Sequence, residues 1–138
     1  MQDELDPVAR FLAQMRPFAS DWLMQSLHTH GGHPYMNLFE GNICPNITFD
    51  NALGSSRHNT VFRNHAERYG PGIKLNLNAI EVQMNNLYQN IIGNVLGRPG
   101  DTGVYEVNSA RPGVYKLGCN QSKCDSPDVR VKETILRH

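Results

Sequence analysis

Chemistry in this chain concentrates in two stretches. His28-Thr29-His30-Gly31-Gly32-His33 puts three of the six histidines into six consecutive residues. Two imidazoles one residue apart, with a third three residues on, can meet one divalent ion such as zinc if the chain bends, and the glycine pair permits the bend. No acidic residue lies inside the motif, and a helix C-terminus is an ordinary place for histidine. His28, His30 and His33 are therefore candidate metal ligands weighed against plain surface histidines. The second stretch is Ser55 to Gly97. It carries Arg57, His58, Asn64 and His65, then Glu81, Asn85, Asn86, Tyr88 and Asn90. A histidine beside a carboxylate can act as general base while guanidinium and amide groups stabilise an anion. On that reading His58 is the base and Glu81 orients it or shares its proton. Arg57, with Asn64 or Asn90, stabilises developing negative charge. The competing reading is that these groups satisfy one another across a helix pair.

Stronger signatures are missing. The chain has no glycine-rich phosphate loop, no His-Glu-x-x-His and no nucleophile elbow around a serine. None of the three cysteines has a histidine neighbour in sequence, so nothing supports a thiolate nucleophile.

The elements that must position these residues read as helices followed by strands. Asp6-Pro7 opens a first helix, with Val8, Phe11, Leu12 and Met15 at helical spacing. Pro17 stops or kinks it, Ser20-Asp21 restarts it, and Gly31-Gly32 ends it after about His28. Residues 33–54 show no clear period and read as a long irregular segment, a candidate pocket rim. A helix capped by Ser55 or Ser56 runs to Tyr69 and ends at Gly70, with Val61, Phe62, Ala66 and Tyr69 as its apolar face. After Pro71-Gly72 a second helix starts near Asn76 or Asn78, with Leu77, Ile80, Met84, Leu87, Ile91 and Val95 as its buried stripe. If the two helices pack antiparallel, Glu81 approaches His65, and Tyr88, Asn90 or Gly93 approaches His58. The repeated Gly-Val-Tyr of Gly103–Val107 and Gly113–Leu117 predicts a β-hairpin, with a third short strand near Val129 to Ile135. The class is α+β. The N-terminal two-thirds is helical around a central helical hairpin, followed by a small antiparallel β-hairpin or sheet, in one domain over 1–138.

Composition narrows the function classes. Thirteen basic and thirteen acidic residues cancel, so bulk charge does not favour a nucleic-acid partner. Fourteen asparagines predict many turns and short connections. No apolar run is long enough to span a membrane, and the acidic start is no signal peptide. Cys119 and Cys124 are spaced for a small disulfide loop or are plain thiols. Asn46-Ile47-Thr48 and Asn120-Gln121-Ser122 match the glycosylation pattern at a frequency this much asparagine makes expected. Tyr105 and Tyr115 read as a cross-strand packing pair ahead of a stacking platform for a base or sugar.

Arg57-His58, Asn64, Gly70, Glu81 and then Leu87-Tyr88-Gln89-Asn90-Ile91-Ile92-Gly93 follow in an order that resembles an uncharacterised family of bacterial exported, toxin-like domains. Those domains carry an Arg-His…Asn helix followed by a Glu and a Leu-x-Asn-Asn-x-x-Gly helix. This chain departs from the pattern at Gln89, where Asn is expected, at Tyr88, where His is common, and in the Arg-His to Asn spacing. The resemblance spans about residues 57–93. It implies a secreted bacterial effector with hydrolase activity, His58, Glu81 and Asn90 in its pocket, and an immunity or inhibitor protein as partner. Two alternatives stand beside it: a metal-dependent hydrolase or metal-binding domain using His28, His30 and His33, and a non-catalytic module that binds a protein or glycan.

Overall fold

A computed structural model of the chain describes residues 27–68, 77–101, 103–109, 111–120 and 123–138. Within them the backbone winds as a parallel β-helix. Each of the first three turns lays one short strand into each of three sheets. The first turn supplies β1 (Leu27–Thr29), β2 (Leu38–Glu40) and β3 (Ile43–Cys44). The second supplies β4 (Ile47–Phe49), β5 (Thr60–Phe62) and β6 (His65–Ala66). β7 (Ile80–Val82), β8 (Asn90–Ile92) and β9 (Val95–Leu96) form the third. β10 (Glu106–Val107), β11 (Tyr115–Leu117), a six-residue helix α1 (Val129–Thr134) and β12 (Leu136–Arg137) close the far end. The sheets run β1-β4-β7-β11-β10, β12-β8-β5-β2 and β3-β6-β9, and every strand pairing in them is parallel.

Register stacks like on like. Ile47, Ile80 and Tyr115 align across the first sheet, as do Phe49, Val82 and Leu117. Phe39, Val61 and Ile91 align across the second. Ile47, Phe49, Val61, Ile80 and Val82 are fully buried. Strands this short bury little surface singly, so stability comes from stacking neighbouring turns.

Amide ladders hold the corners between sheets. Asn59 Oδ1 accepts from Asn37 N (3.0 Å) and Asn37 Nδ2 (2.9 Å), and Gln89 Oε1 accepts from Asn59 N (3.2 Å) and Asn59 Nδ2 (3.1 Å). Five residues on, Asn42, Asn64 and Asn94 repeat the arrangement. The residue before each rung takes the left-handed conformation: Met36, His58 and Tyr88 before one ladder (φ 55°, 55° and 57°), Gly41, Arg63 and Gly93 before the other (φ 70°, 56° and 61°). That conformation costs a non-glycine residue about 1–2 kcal/mol, and the paired amide hydrogen bonds offset it.

The α+β expectation is overturned. The described residues hold twelve strands and one short helix, so neither the helical two-thirds nor the central helical hairpin exists over Ser56–Arg68 and Leu77–Gly97. Apolar residues recur there every three to five positions because the chain turns a corner at that interval, which imitates helical periodicity. Ile80, Leu87 and Ile91 of the expected stripe are buried, whereas Val95 is 61% exposed. The expected antiparallel hairpin is instead β10 beside β11 in parallel, Glu106 opposite Tyr115. The expected strand over Val129 to Ile135 is α1, capped by Asp128, whose side chain accepts from Arg130 N. Residues 33–54, read as irregular, contain β2, β3 and β4. The first expected helix and the Tyr69–Gly72 joint lie outside the described residues, except Leu27 and His28, which belong to β1. Cys119 and Cys124 form a disulfide. Among the described residues no helix is long and apolar enough to cross a membrane.

Candidate metal centre

Strand parity builds the site. In β1 and the residue after it, Leu27 and Thr29 are buried inward positions, and His28 and His30 alternate with them. In β4 and the residue after it, Ile47 and Phe49 point inward, and Thr48 and Asp50 take the other face. Pairing β1 with β4 sets His28 opposite Thr48 and Thr29 opposite Phe49, so His30 falls beside Asp50. His28 Nε2 reaches Asp50 Oδ2 at 2.6 Å, and His30 Nδ1 contacts the same oxygen. The two rings lie 5.1 Å apart, tilted by 47°. Asp50 Oδ1 accepts from Ala52 N at 3.2 Å, which steadies the carboxylate.

Exposure grades across the group. The side chain of His30 is 53% exposed and that of His28 23%, while Asp50 is 9% exposed. Burial pushes the Asp50 carboxyl upward, but hydrogen bonds from His30, the Ala52 backbone and His28 outweigh it and hold the group below its ordinary value. The charged carboxylate, the form a metal would take as ligand, is thus the favoured one. One donor atom from each of His28, His30 and Asp50 lies within 4.8 Å of the others. Two imidazole nitrogens and a carboxylate oxygen form a donor set suited to zinc, with coordination positions left over.

Of the expected metal ligands, His28 and His30 converge and His33 does not. His33 is exposed with φ 57°, and its place is taken by Asp50 from the next turn. The signal that pairs them is the parallel alternation of Leu27-His28-Thr29-His30 and Ile47-Thr48-Phe49-Asp50, an offset of 20 residues.

The other candidates separate. His58 lies face to face with Tyr88, centroids 5.0 Å apart and 12° between planes, and Tyr35 meets it edge-on at 5.3 Å. Arg57 is exposed, its backbone bridging Tyr35 and Leu87. Asn64 is a ladder rung, and Asn90 donates to Thr60 Oγ1 at 3.4 Å. Glu81 sits on the first sheet, accepting from Asn78 (3.4 Å) and Gln83 (3.2 Å), with Lys116 Nζ at 3.4 Å. His65 Nε2 meets the Gly97 carbonyl at 3.2 Å. Tyr105 and Tyr115 pack edge to face at 5.4 Å, with Arg137 over Tyr115. Fold and site together define a parallel β-helix bearing a His-His-Asp group on one outer face. Comparison of the chain with protein-family models, curated proteins and solved structures finds no match.

Proposed function

We propose that this β-helix binds a divalent ion of the zinc class through His28, His30 and Asp50 and uses it in hydrolysis. The observation that carries the reading is the meeting of two imidazole nitrogens, from β1 and the residue after it, with a single carboxylate oxygen from the next turn. Three protein ligands leave a position for water or substrate, and an ion held so supplies Lewis acidity and an acidified water. Asp50 neutralises part of the ion's charge, and the half-exposed His30 marks the side open to substrate. The Cys119–Cys124 disulfide supports an exported protein, since such bonds persist in oxidising compartments. His58 packed against Tyr88, and Glu81 held by Asn78, Gln83 and Lys116, give the metal group the better claim to the chemistry.

The test is zinc calorimetry on chelator-stripped protein. One ion per chain is expected, with binding lost in Asp50→Asn and His28→Ala and kept in His58→Ala. Equal zinc binding by Asp50→Asn and the unaltered protein rejects the reading.

A further inference from the structure

We infer that Thr48 is a positioning residue of this centre, its buried hydroxyl completing its hydrogen bonding with the neighbouring ligands His28 and Asp50 once they hold the ion. The inference rests on the metal reading above. Thr48 is 2% exposed, and its Oγ1 is buried with no hydrogen-bond partner. A buried hydroxyl left unpaired loses its hydration with nothing in return, and an unpaired polar group in a native protein asks for a ligand or water to complete it. Valine has the same branched shape and would carry no such cost.

The location specifies the partners. Thr48 is the register partner of His28 across β1 and β4. It stands two residues before Asp50, on the same face of the strand. The His28 ring reaches Asp50 diagonally across that face. Thr48 therefore lies beside the line joining two of the three metal donors. Thr29 Oγ1 and Asn51 Oδ1, next in sequence to His28 and Asp50, are also buried without a partner. They differ from Thr48 in direction: Thr29 pairs with the inward-facing Phe49, and Asn51 is tied away by Asn120. Thr48 alone of the three shares the metal-facing side.

Groups that hydrogen-bond a metal's ligands change metal affinity by about tenfold or more. The experiment compares unaltered protein, Thr48→Val and Thr48→Ser, all stripped with chelator. It reads zinc affinity by calorimetry, the visible absorption of the cobalt(II) form, and the melting temperature without metal. Thr48→Val is expected to bind zinc about tenfold more weakly or to alter the cobalt(II) spectrum. Thr48→Ser restores both, and metal-free Thr48→Val melts no lower than the unaltered protein. A Thr48→Val protein matching the unaltered one in affinity and spectrum overturns the inference and leaves the metal centre standing. A lower metal-free melting temperature for Thr48→Val also overturns it, because the hydroxyl then serves the fold. Failure of the unaltered protein to bind either ion overturns the metal reading, and this inference with it.

Discussion

Gln89 Oε1 accepts both the backbone N–H of Asn59 at 3.2 Å and its side-chain amide at 3.1 Å, so a glutamine serves as a rung in a ladder otherwise built of asparagine. Asn59 passes the contact on by accepting from Asn37. It is fully buried. Asn59→Ala should cost about 3 kcal/mol, because it strands amide groups on both neighbouring turns. Asn59→Asp keeps the acceptor toward Asn37 but sets an oxygen against Gln89 Oε1, and it should destabilise at least as much. Denaturant melts of the two variants check this. A loss under 1 kcal/mol for both would show that the ladder is dispensable.

At the next corner Arg63 holds φ 56° where Gly41 and Gly93 occupy the equivalent positions before their rungs. Its side chain is 69% exposed and reaches Glu40 only at 3.9 Å, a surface contact of little worth. Relief of the left-handed backbone exceeds the added chain entropy of glycine. Arg63→Gly should therefore stabilise, by about 0.5 kcal/mol. A lowered melting temperature would contradict it.

Glu106 joins β10 to the C-terminal elements through Lys132 (2.7 Å) and Arg137 (2.7 Å). Burial raises its pKa, but the hydrogen bonds and charges of Lys132 and Arg137 win and leave it below the ordinary value. A carboxyl lowered by folding contributes stability that is present above its unfolded pKa and disappears as pH falls through the folded one. Melting temperature should thus drop on acidification below the ordinary glutamate range. Glu106→Gln should be less stable near neutrality and show a shallower acid limb. An unchanged limb in that variant would assign the acid sensitivity to other groups.

Zinc should raise the melting temperature in proportion to occupancy. At a hundredfold excess over the dissociation constant the gain is about 2.7 kcal/mol. Asp50→Ala should abolish the shift, since Asp50 Oδ2 is the atom both imidazoles reach. A shift of equal size in Asp50→Ala would mean that the ion binds elsewhere.

Reduction of Cys119–Cys124 reopens a loop whose ends are five residues apart. Closing so short a loop is worth about 2 kcal/mol in the chain-entropy account. The reduced protein should lose about that much while zinc binding persists, because the hydrogen bond that joins Asn120 to the metal-bearing turn, from Asn51 Nδ2 at 3.1 Å, involves none of the three metal-group side chains. Loss of zinc binding on reduction would tie the loop to the site.

By itself the sequence determined which atoms were available: the His28–His30 pair, the cysteine pair at 119 and 124, and an unusual stock of asparagine. Its periodicity misled, because Leu77, Ile80, Met84, Leu87 and Ile91 repeat at three and four whether a chain coils as a helix or turns a corner every few residues. A repeat was nonetheless written there. Met36-Asn37-Leu38-Phe39-Glu40-Gly41-Asn42, His58-Asn59-Thr60-Val61-Phe62-Arg63-Asn64 and Tyr88-Gln89-Asn90-Ile91-Ile92-Gly93-Asn94 superpose residue for residue. They lie 22 and 30 residues apart, and it is this uneven spacing that hides them. Tertiary structure alone decided that Asp50, and not His33, joins His28 and His30. Parallel pairing of β1 with β4 is a long-range choice made by the packing of Leu27, Ile47 and Phe49. Only once that register is set do side chains 20 and 22 residues apart share an oxygen.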